Sequence, residues 1–193
     1  MLELLGRPGD PPGLRLHRLL ERSVEAAGVV VIRGRVVGGV LEGRTLHAVH
    51  VSQAEGDVVV RGLGFVLATG GLAGGGLVLG RTLEEAALGL PLTDGDGAPI
   101  EPPSGLHGID RGLLFSTRPG GPHPVCRAGV AVDTELRPVG AGELIVENLR
   151  VAGAVLAGHD PVADGSGLAT ALVTGLHAGT RAAADANAGA PRH

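Results

Sequence analysis

The chain has 193 residues, of which 44% are hydrophobic and 19% are charged. It is therefore long and apolar enough to form a folded domain with a core. A net charge of −4 argues against a nucleic-acid-binding surface, and no apolar run approaches the ~20 residues of a membrane span. Aromatic residues make up only 1% of the chain, so valine, leucine and alanine must fill the core.

The first part of the chain predicts a helix, a strand and a meander. Apolar residues recur at spacings of three and four, at Leu16, Leu19, Leu20, Val24 and Ala27. This spacing predicts an amphipathic helix, which Gly28 ends. The β-branched run from Val29 to Ile32 predicts a strand buried on both faces. Short alternating segments between residues 36 and 60 predict a small antiparallel meander.

The second part predicts two buried strands, each followed by a glycine-rich turn. Phe65 to Ala68 leads into the first glycine turn, residues 69–76, and Val151 to Leu156 leads into the second, residues 157–167. A helix is predicted from Gly167 to about Ala184. Alternation of helices and buried strands is typical of an α/β fold with a parallel sheet. Ligands of such sheets bind beyond the carboxyl ends of the strands, where both turns lie.

The first glycine turn also matches the TGxxxGxG fingerprint of short-chain dehydrogenases. Those enzymes require a downstream Tyr-x-x-x-Lys motif, in which the lysine lowers the tyrosine pKa. The chain contains neither tyrosine nor lysine. This catalytic interpretation is therefore excluded, and a structural glycine loop is the alternative.

Two segments instead resemble flavoproteins. GFVLATGG, residues 64–71, resembles the Ala-Thr-Gly segment of two-dinucleotide flavoproteins, and NLRVAGAVLAGHDP, residues 148–161, resembles their second flavin segment. With the flanking sequence, residues 12–183 resemble the C-terminal half of the B subunits of anaerobic glycerol-3-phosphate dehydrogenase. That family is similar to the fumarate reductase flavoproteins.

The resemblance implies a partial FAD/NAD(P)-binding-like fold of the Rossmann type. This fold combines a parallel sheet with a small antiparallel meander. The N-terminal βαβ unit with its phosphate-binding GxGxxG turn is expected to be missing. Residues 12–81 would be a flavin-domain portion with the meander, and residues 82–147 an irregular excursion or remnant of an inserted subdomain. Residues 148–185 would supply the C-terminal strand and helix of the flavin domain.

The resemblance also implies a flavin cofactor, FMN by analogy with the B subunits and FAD as the alternative. The residues expected to bind it come from both segments, and they are Thr69, Gly70, Gly71, Gly153, Ala154, Val155, Gly158, Asp160, Gly165, Ser166, Gly167 and Leu168. Glycines permit close backbone approach, and a helix start offers unpaired N–H groups that favour negative charge on a reduced flavin.

Histidines provide weaker evidence for chemistry. His159 lies in the second glycine turn and is a candidate for proton transfer, although a solvated turn residue is the alternative interpretation. His47 and His50 lie three apart in a predicted strand and thus on opposite faces. His123 and Cys126 would supply only two metal ligands. We therefore expect no metal site, and we assign no residue as the substrate's base.

By resemblance, the chain would belong to a complex that oxidises glycerol 3-phosphate to dihydroxyacetone phosphate and passes electrons to the quinone pool. Its partners would be a catalytic flavoprotein subunit and a membrane-anchored iron–sulfur subunit. The chain would be cytoplasmic, or held at the inner face of the cell membrane by those partners. The alternative is a non-enzymatic remnant or scaffold that keeps the fold and binds no flavin.

Overall fold

The computed structural model describes residues 11–80, 83–100, 123–160 and 163–189. The chain forms two compact units, Met1–Arg33 and Gly34–His193. Residues 101–122, one third of the predicted irregular excursion, lie outside the described residues. The division into residues 12–81, 82–147 and 148–185 stays a prediction.

The first unit contains the predicted amphipathic helix but not the predicted strand. Helix α1 spans Pro11–Ala26, and Gly28, at a φ of +74°, closes it by donating its N–H to the carbonyl of Glu25. The run from Val29 to Ile32 has no regular structure, and its side chains are exposed. The prediction of a buried strand is wrong here because a strand needs a hydrogen-bonded neighbour, and the described residues of this unit supply none.

The second unit opens with the predicted antiparallel meander. Strands β1 (Arg35–Glu42), β2 (Thr45–Ser52) and β3 (Val58–Arg61) form one sheet in the order β1-β2-β3. Along β2, Leu46 and Ala48 are buried, whereas the residue between them is exposed. This period of two places one face of the strand on the core. The prediction of a small meander is confirmed.

The remaining elements are short strands, a short helix and a long C-terminal helix. They are β4 (Phe65–Leu67), β5 (Leu77–Leu79), β6 (Leu83–Glu85), α2 (Pro124–Arg127), β7 (Val139–Gly140), β8 (Glu143–Leu144), β9 (Leu149–Val151) and α3 (Gly167–Gly189). Strands β5 and β6 pair antiparallel, as do β7 and β8.

Strands β4 and β9 pair in parallel, with Phe65 opposite Leu149 and Leu67 opposite Val151. The predicted strand from Val151 to Leu156 is largely buried as expected, but its conformation differs. Regular pairing ends at Val151, and a 3-10 helix follows at Gly153–Val155. Gly153 adopts a φ of +77°, a left-handed conformation that ends an extended strand. The fold is thus mixed α/β with small sheets, one of them parallel, which is consistent with a partial Rossmann-type fold.

The side chain of Asn148 joins the meander to the parallel pair. Its Oδ1 accepts the backbone N–H of Leu46 at 2.9 Å, and its Nδ2 donates to the Leu46 carbonyl at 2.8 Å. Nδ2 also lies 3.0 Å from the carbonyl oxygen of Leu63. One amide side chain therefore satisfies three backbone groups from two segments, where a strand neighbour would otherwise be required.

Helix α3 lies on the parallel pair through small residues and two polar links. Ala178 and Ala182 are buried. The hydroxyl of Thr174 accepts the N–H of Gly153 at 2.9 Å, and the carboxylate of Asp185 lies 2.6 Å from the guanidinium of Arg150, which is itself buried. Small side chains let the helix approach the sheet closely, and the polar links fix its rotation.

We predict that Gly129→Ala destabilises the fold. A Cβ at Gly129 would lie 2.6 Å from the backbone nitrogen of Ala157, and it would also contact the carbonyl oxygen of Val155. Because backbone atoms cannot move aside cheaply, the free energy of unfolding in urea should fall by about 1–3 kcal/mol. The control is Gly179→Ala on α3, where a Cβ meets nothing within 4 Å. It should raise stability by up to about 1 kcal/mol. Equal losses would contradict the close approach.

We also predict that Glu85→Ala destabilises the chain. The buried carboxylate of Glu85 accepts backbone N–H groups from Ala87 at 2.9 Å and from Leu88 at 2.7 Å. Truncation leaves these donors without a partner, which costs about 1–3 kcal/mol for each buried group. Glu55 is exposed in the turn between β2 and β3, so Glu55→Ala should change the free energy of unfolding by no more than about 0.5 kcal/mol. Urea denaturation of both variants measures the difference, and similar values would refute this role for Glu85.

Candidate functional site

The first glycine turn folds back on itself and contacts the 3-10 helix that follows β9. The carbonyl of Gly71 accepts the N–H groups of Gly74 and Gly76, each at 3.1 Å. A Cβ on Gly71 would lie 2.8 Å from the carbonyl oxygen of Ala154. The backbones of the two predicted flavin segments are therefore in close contact at this point. The parallel pairing of β4 with β9 brings the two segments to the same edge of the sheet.

A cavity of about 250 Å³ opens beside this contact. Its walls come from the first glycine turn, the 3-10 helix and the region of α2, and the lining residues are Gly70, Gly71, Leu72, Ala73, Gly74, Leu77, Val125, Cys126, Ala128 and Ala154. These side chains are apolar apart from one thiol, so the cavity suits an apolar or aromatic group. We call it the glycine-turn cavity.

Helix α2 reaches the cavity through long-range backbone pairing. Val130 donates its N–H to the carbonyl of Val155 at 2.8 Å, and Ala157 donates to Val130 at 3.1 Å. Gly158 then donates to the carbonyl of Arg127 at 2.8 Å. These bonds align the segment after α2 with the segment after β9, so that Cys126 and Ala154 line the same cavity.

The thiol of Cys126 is a neutral part of the wall. Burial, together with the nearby carboxylate of Asp160, raises the pKa of Cys126 above its ordinary value. Both causes disfavour the thiolate, since one removes water and the other adds a like charge. The thiol is thus protonated at neutral pH and is a poor nucleophile. The predicted site residue Asp160 therefore acts on the thiol of Cys126, but it does not line the cavity.

The N-terminus of α3 does not line the cavity. Gly165 has a φ of +60° and is exposed, while Ser166 and Gly167 are half-buried. The hydrogen bond of α3 to the 3-10 helix is made by Thr174, two turns further along, which is about 10 Å at 1.5 Å per residue. The expected approach of these helix N–H groups to the flavin stays a prediction.

His159 also lies outside the cavity wall. Its Nδ1 is 3.4 Å from the carboxylate of Asp164, and its Nε2 is buried and has no hydrogen-bond partner among the residues that the structure describes. Its side chain is only 11% exposed, so it is not a solvated turn residue. The Asp164 carboxylate is the acidic group beside the ring, and the ring does not lie in the glycine-turn cavity.

Of the predicted flavin-binding residues, Gly70, Gly71 and Ala154 line the cavity together, whereas Asp160 is outside the lining and acts on the thiol of Cys126. Thr69 instead lines a separate cavity of about 140 Å³ beside the meander. The others lie outside the lining, namely Gly153, Val155, Gly158, Gly165, Ser166, Gly167 and Leu168.

Sequence reasoning missed seven of the lining residues, namely Leu72, Ala73, Gly74, Leu77, Val125, Cys126 and Ala128. The glycine fingerprint covers Leu72 to Gly74 and could have identified them. The residues in and after α2 match no ligand-binding sequence motif. They reach the site through the pairing of Val130 with Leu156, which is a long-range contact.

Within residues 11–80, 83–100, 123–160 and 163–189, no group of three or more histidine, cysteine, aspartate or glutamate side chains is placed to hold a metal ion. Over these ranges, no helix has both the length and the apolar character needed to cross a membrane.

Comparison with known proteins gives a consistent set of relatives. The chain is 35% identical over 178 residues to the probable B subunit of anaerobic glycerol-3-phosphate dehydrogenase from Halobacterium salinarum, covering 91% of this chain and 39% of the relative. It is 30% identical over 176 residues to the B subunit of anaerobic glycerol-3-phosphate dehydrogenase from Vibrio cholerae, covering 89% and 37%. The protein of the same name from Yersinia enterocolitica is 31% identical over 173 residues, covering 88% and 38%.

No protein-family profile matches the chain, and no solved structure matches it. The chain spans about two fifths of the length of the curated relatives that it matches. These relatives carry the name of the family that residues 12–183 resemble. The predicted resemblance is therefore confirmed, and the chain is a homologue of part of the B subunits of anaerobic glycerol-3-phosphate dehydrogenase.

Proposed function

We propose that the chain forms part of a flavin-dependent oxidoreductase subunit, in a complex that oxidises glycerol 3-phosphate to dihydroxyacetone phosphate and delivers electrons to the quinone pool. In this proposal the subunit holds a flavin and transfers electrons. The partners are a catalytic flavoprotein subunit and a membrane-anchored iron–sulfur subunit. The names of the relatives support the substrate and the existence of partner subunits.

The observation that carries the flavin proposal is the meeting of Gly70 and Gly71 with Ala154 in one cavity. These residues come from two segments that lie far apart in the sequence and that the resemblance assigns independently to flavin binding. A ligand site is typically concave and mostly apolar, with a volume of about 300–1,000 Å³. At about 250 Å³ the cavity fits a fused ring system but not a whole dinucleotide.

The wall of the cavity fits the ring of a flavin and not its phosphate. Glycine backbone and small aliphatic side chains allow a flat ring to lie close to the protein. By contrast, no cationic side chain is among the described residues that line the cavity. We therefore assign only the ring portion of the cofactor to these residues.

When bound, a flavin supplies the redox chemistry, and the protein supplies position and electrostatics. Gly70, Gly71 and Ala154 would set the depth of the ring, and Leu72 and Leu77 would exclude water from it. The protonated thiol of Cys126 would give a neutral wall, whereas a thiolate would oppose the gain of negative charge by the ring. No described residue in the wall is suited to act as the substrate's base, which favours an electron-transfer role.

The alternative function is a scaffold that keeps the fold and binds no flavin. This alternative is supported by the lining of the cavity, whose described residues could hold a ring through shape but offer no cationic side chain to bind a phosphate. The two functions differ in one observable, since bound oxidised flavin absorbs at ~450 nm and a chain without flavin does not.

We predict that the chain binds riboflavin and that Ala154→Phe weakens this binding. The larger side chain would occupy the cavity that the ring requires, so the dissociation constant should rise at least about tenfold, or about 1.4 kcal/mol. Quenching of riboflavin fluorescence during titration with the protein gives the constant, and FMN in a parallel titration shows whether the phosphate contributes.

Ala169→Phe is the matched control, because Ala169 is an exposed residue of α3 outside the cavity wall. It should leave the dissociation constant within about twofold. If the unmodified chain binds neither riboflavin nor FMN, the scaffold alternative holds. If Ala154→Phe binds as well as the control, the flavin lies elsewhere.

We predict that His159→Phe keeps most of the turnover in the complex reconstituted with its partner subunits. His159 does not line the cavity, so the loss should stay below about tenfold, or about 1.4 kcal/mol of barrier. Loss of a general acid–base residue would lower turnover by about a hundredfold or more. A loss of that size, with unchanged flavin absorbance, would make His159 catalytic and exclude a purely electron-transferring role.

A further inference from the structure

Helix α2 contributes to two cavities of different chemistry. Val125 and Cys126 line the glycine-turn cavity, which is apolar apart from the thiol. A second cavity, of about 210 Å³, is lined by Asp94, Gly95, Asp96, His123, Pro124 and Arg127. We call it the Arg127 cavity. Four of these six residues have titratable side chains, so this cavity suits a polar ligand. Its volume is below the about 300–1,000 Å³ of drug-sized sites, so it suits a small molecule or one end of a larger one.

The side chain of Arg127 lies along this cavity without a carboxylate partner. A Cβ on Gly95 would lie 2.8 Å from Nε of Arg127, so the side chain rests against the turn at residues 94–98. Its Nη2 is 3.4 Å from the carbonyl oxygen of Gly95. Among the residues that the structure describes, no carboxylate forms an ion pair with Arg127. A guanidinium has five N–H donors, and a single long hydrogen bond leaves most of its capacity for a ligand.

The two carboxylates of the Arg127 cavity differ in what they contact. Oδ1 of Asp94 accepts the backbone N–H groups of Asp96 and Ala98, each at 2.9 Å. These bonds fix the turn that presents Gly95 to Arg127. The side chain of Asp96 belongs to an exposed residue, and it accepts no hydrogen bond within the part of the chain that the structure describes. The cavity therefore has an unpaired cation and an unpaired carboxylate in one lining.

This combination of charges restricts the ligand. A simple anion would be attracted by Arg127 but repelled by Asp94 and Asp96, and a simple cation would experience the reverse. A molecule with a phosphate at one end and hydroxyl groups at the other satisfies both. Its phosphate accepts hydrogen bonds from the guanidinium, and its hydroxyl groups donate to a carboxylate.

We propose that the Arg127 cavity binds a phosphorylated polyol, with the phosphate on Arg127 and a hydroxyl group on Asp96. Two ligands have this chemistry. One is free glycerol 3-phosphate, the compound in the names of the relatives. The other is the ribityl phosphate of FMN, whose ring would occupy the glycine-turn cavity. The choice of these two ligands rests on the proposed function, whereas the chemistry of the cavity does not.

The test is titration of the whole chain with glycerol 3-phosphate, inorganic phosphate and glycerol, followed by ¹H–¹⁵N NMR. We expect glycerol 3-phosphate to shift the signals of Gly95, Asp96 and the Arg127 side chain, and to bind more tightly than inorganic phosphate or glycerol. Arg127→Gln should raise its dissociation constant at least about tenfold, because the charge-assisted hydrogen bonds are lost. Arg61→Gln is the matched control, since Arg61 is an exposed residue of β3 outside this lining. It should change the constant by less than about twofold.

Asp96→Ala separates a polyol site from mere attraction to an exposed arginine. Removal of the carboxylate should weaken glycerol 3-phosphate by about threefold or more and should not weaken inorganic phosphate, which needs no acceptor. This variant also decides the question if circular dichroism shows that Arg127→Gln does not fold. Equal strengthening of both ligands by Asp96→Ala would overturn the proposal.

FMN and riboflavin distinguish the two sources of the phosphate. If glycerol 3-phosphate does not bind, but FMN binds more tightly than riboflavin and Arg127→Gln removes the difference, the site holds the cofactor's phosphate. If no phosphate ligand distinguishes Arg127→Gln from Arg61→Gln, the proposal is overturned, even where riboflavin binds. Glycerol 3-phosphate binding that depends on Arg127, without any riboflavin binding, would instead refute the flavin proposal alone.

Discussion

The parallel pairing of β4 with β9 is the constraint on which the second unit depends. Three residues on each strand bring together parts of the chain that lie far apart in the sequence. Each strand leads directly into a segment of the candidate site, so the pairing also fixes the distance between Gly71 and Ala154. The side chain of Asn148 extends this pairing to the meander, because it supplies the hydrogen bonds of a strand neighbour. The geometry of the glycine-turn cavity follows from these backbone contacts.

Local patterns in the sequence predicted the meander and the two long helices, whose stabilising contacts lie between residues close together in the sequence. The meander followed from alternation along β2, and the two long helices followed from their spacing and glycine ends. The strand predicted at Val29 to Ile32 shows the limit of this approach. Its β-branched residues favour an extended chain, but a strand also requires a neighbour, which composition cannot reveal. Gly153 shows another limit, since a left-handed glycine interrupts an apolar run that otherwise resembles a strand.

The candidate site was predictable only where local sequence patterns mark its residues. Gly70, Gly71 and Ala154 belong to segments with recognisable glycine patterns, and they line one cavity. Cys126 and its neighbours enter the wall through the pairing of Val130 with the segment after β9. That pairing depends on the lack of a side chain at Gly129, which no sequence pattern distinguishes from the other glycines of the chain. Long-range contacts of this kind require the folded structure.

The ion pair between the buried Arg150 and the partly exposed Asp185 has a consequence for the orientation of α3. Helix α3 also carries the exposed apolar side chains of Leu168, Leu172 and Leu176 on the side away from Ala178 and Ala182. It could therefore dock on the sheet with either side inward, and hydrophobic burial alone discriminates weakly between the two. Docking through the opposite face would leave the buried guanidinium of Arg150 without a carboxylate and with only the carbonyl oxygens of Glu147 and Leu149 as partners, a penalty of up to about 3–5 kcal/mol. A pair of matched aliphatic residues could stabilise the sheet equally well and would not impose this choice. The charge pair therefore favours docking of α3 through one face over docking through the opposite face.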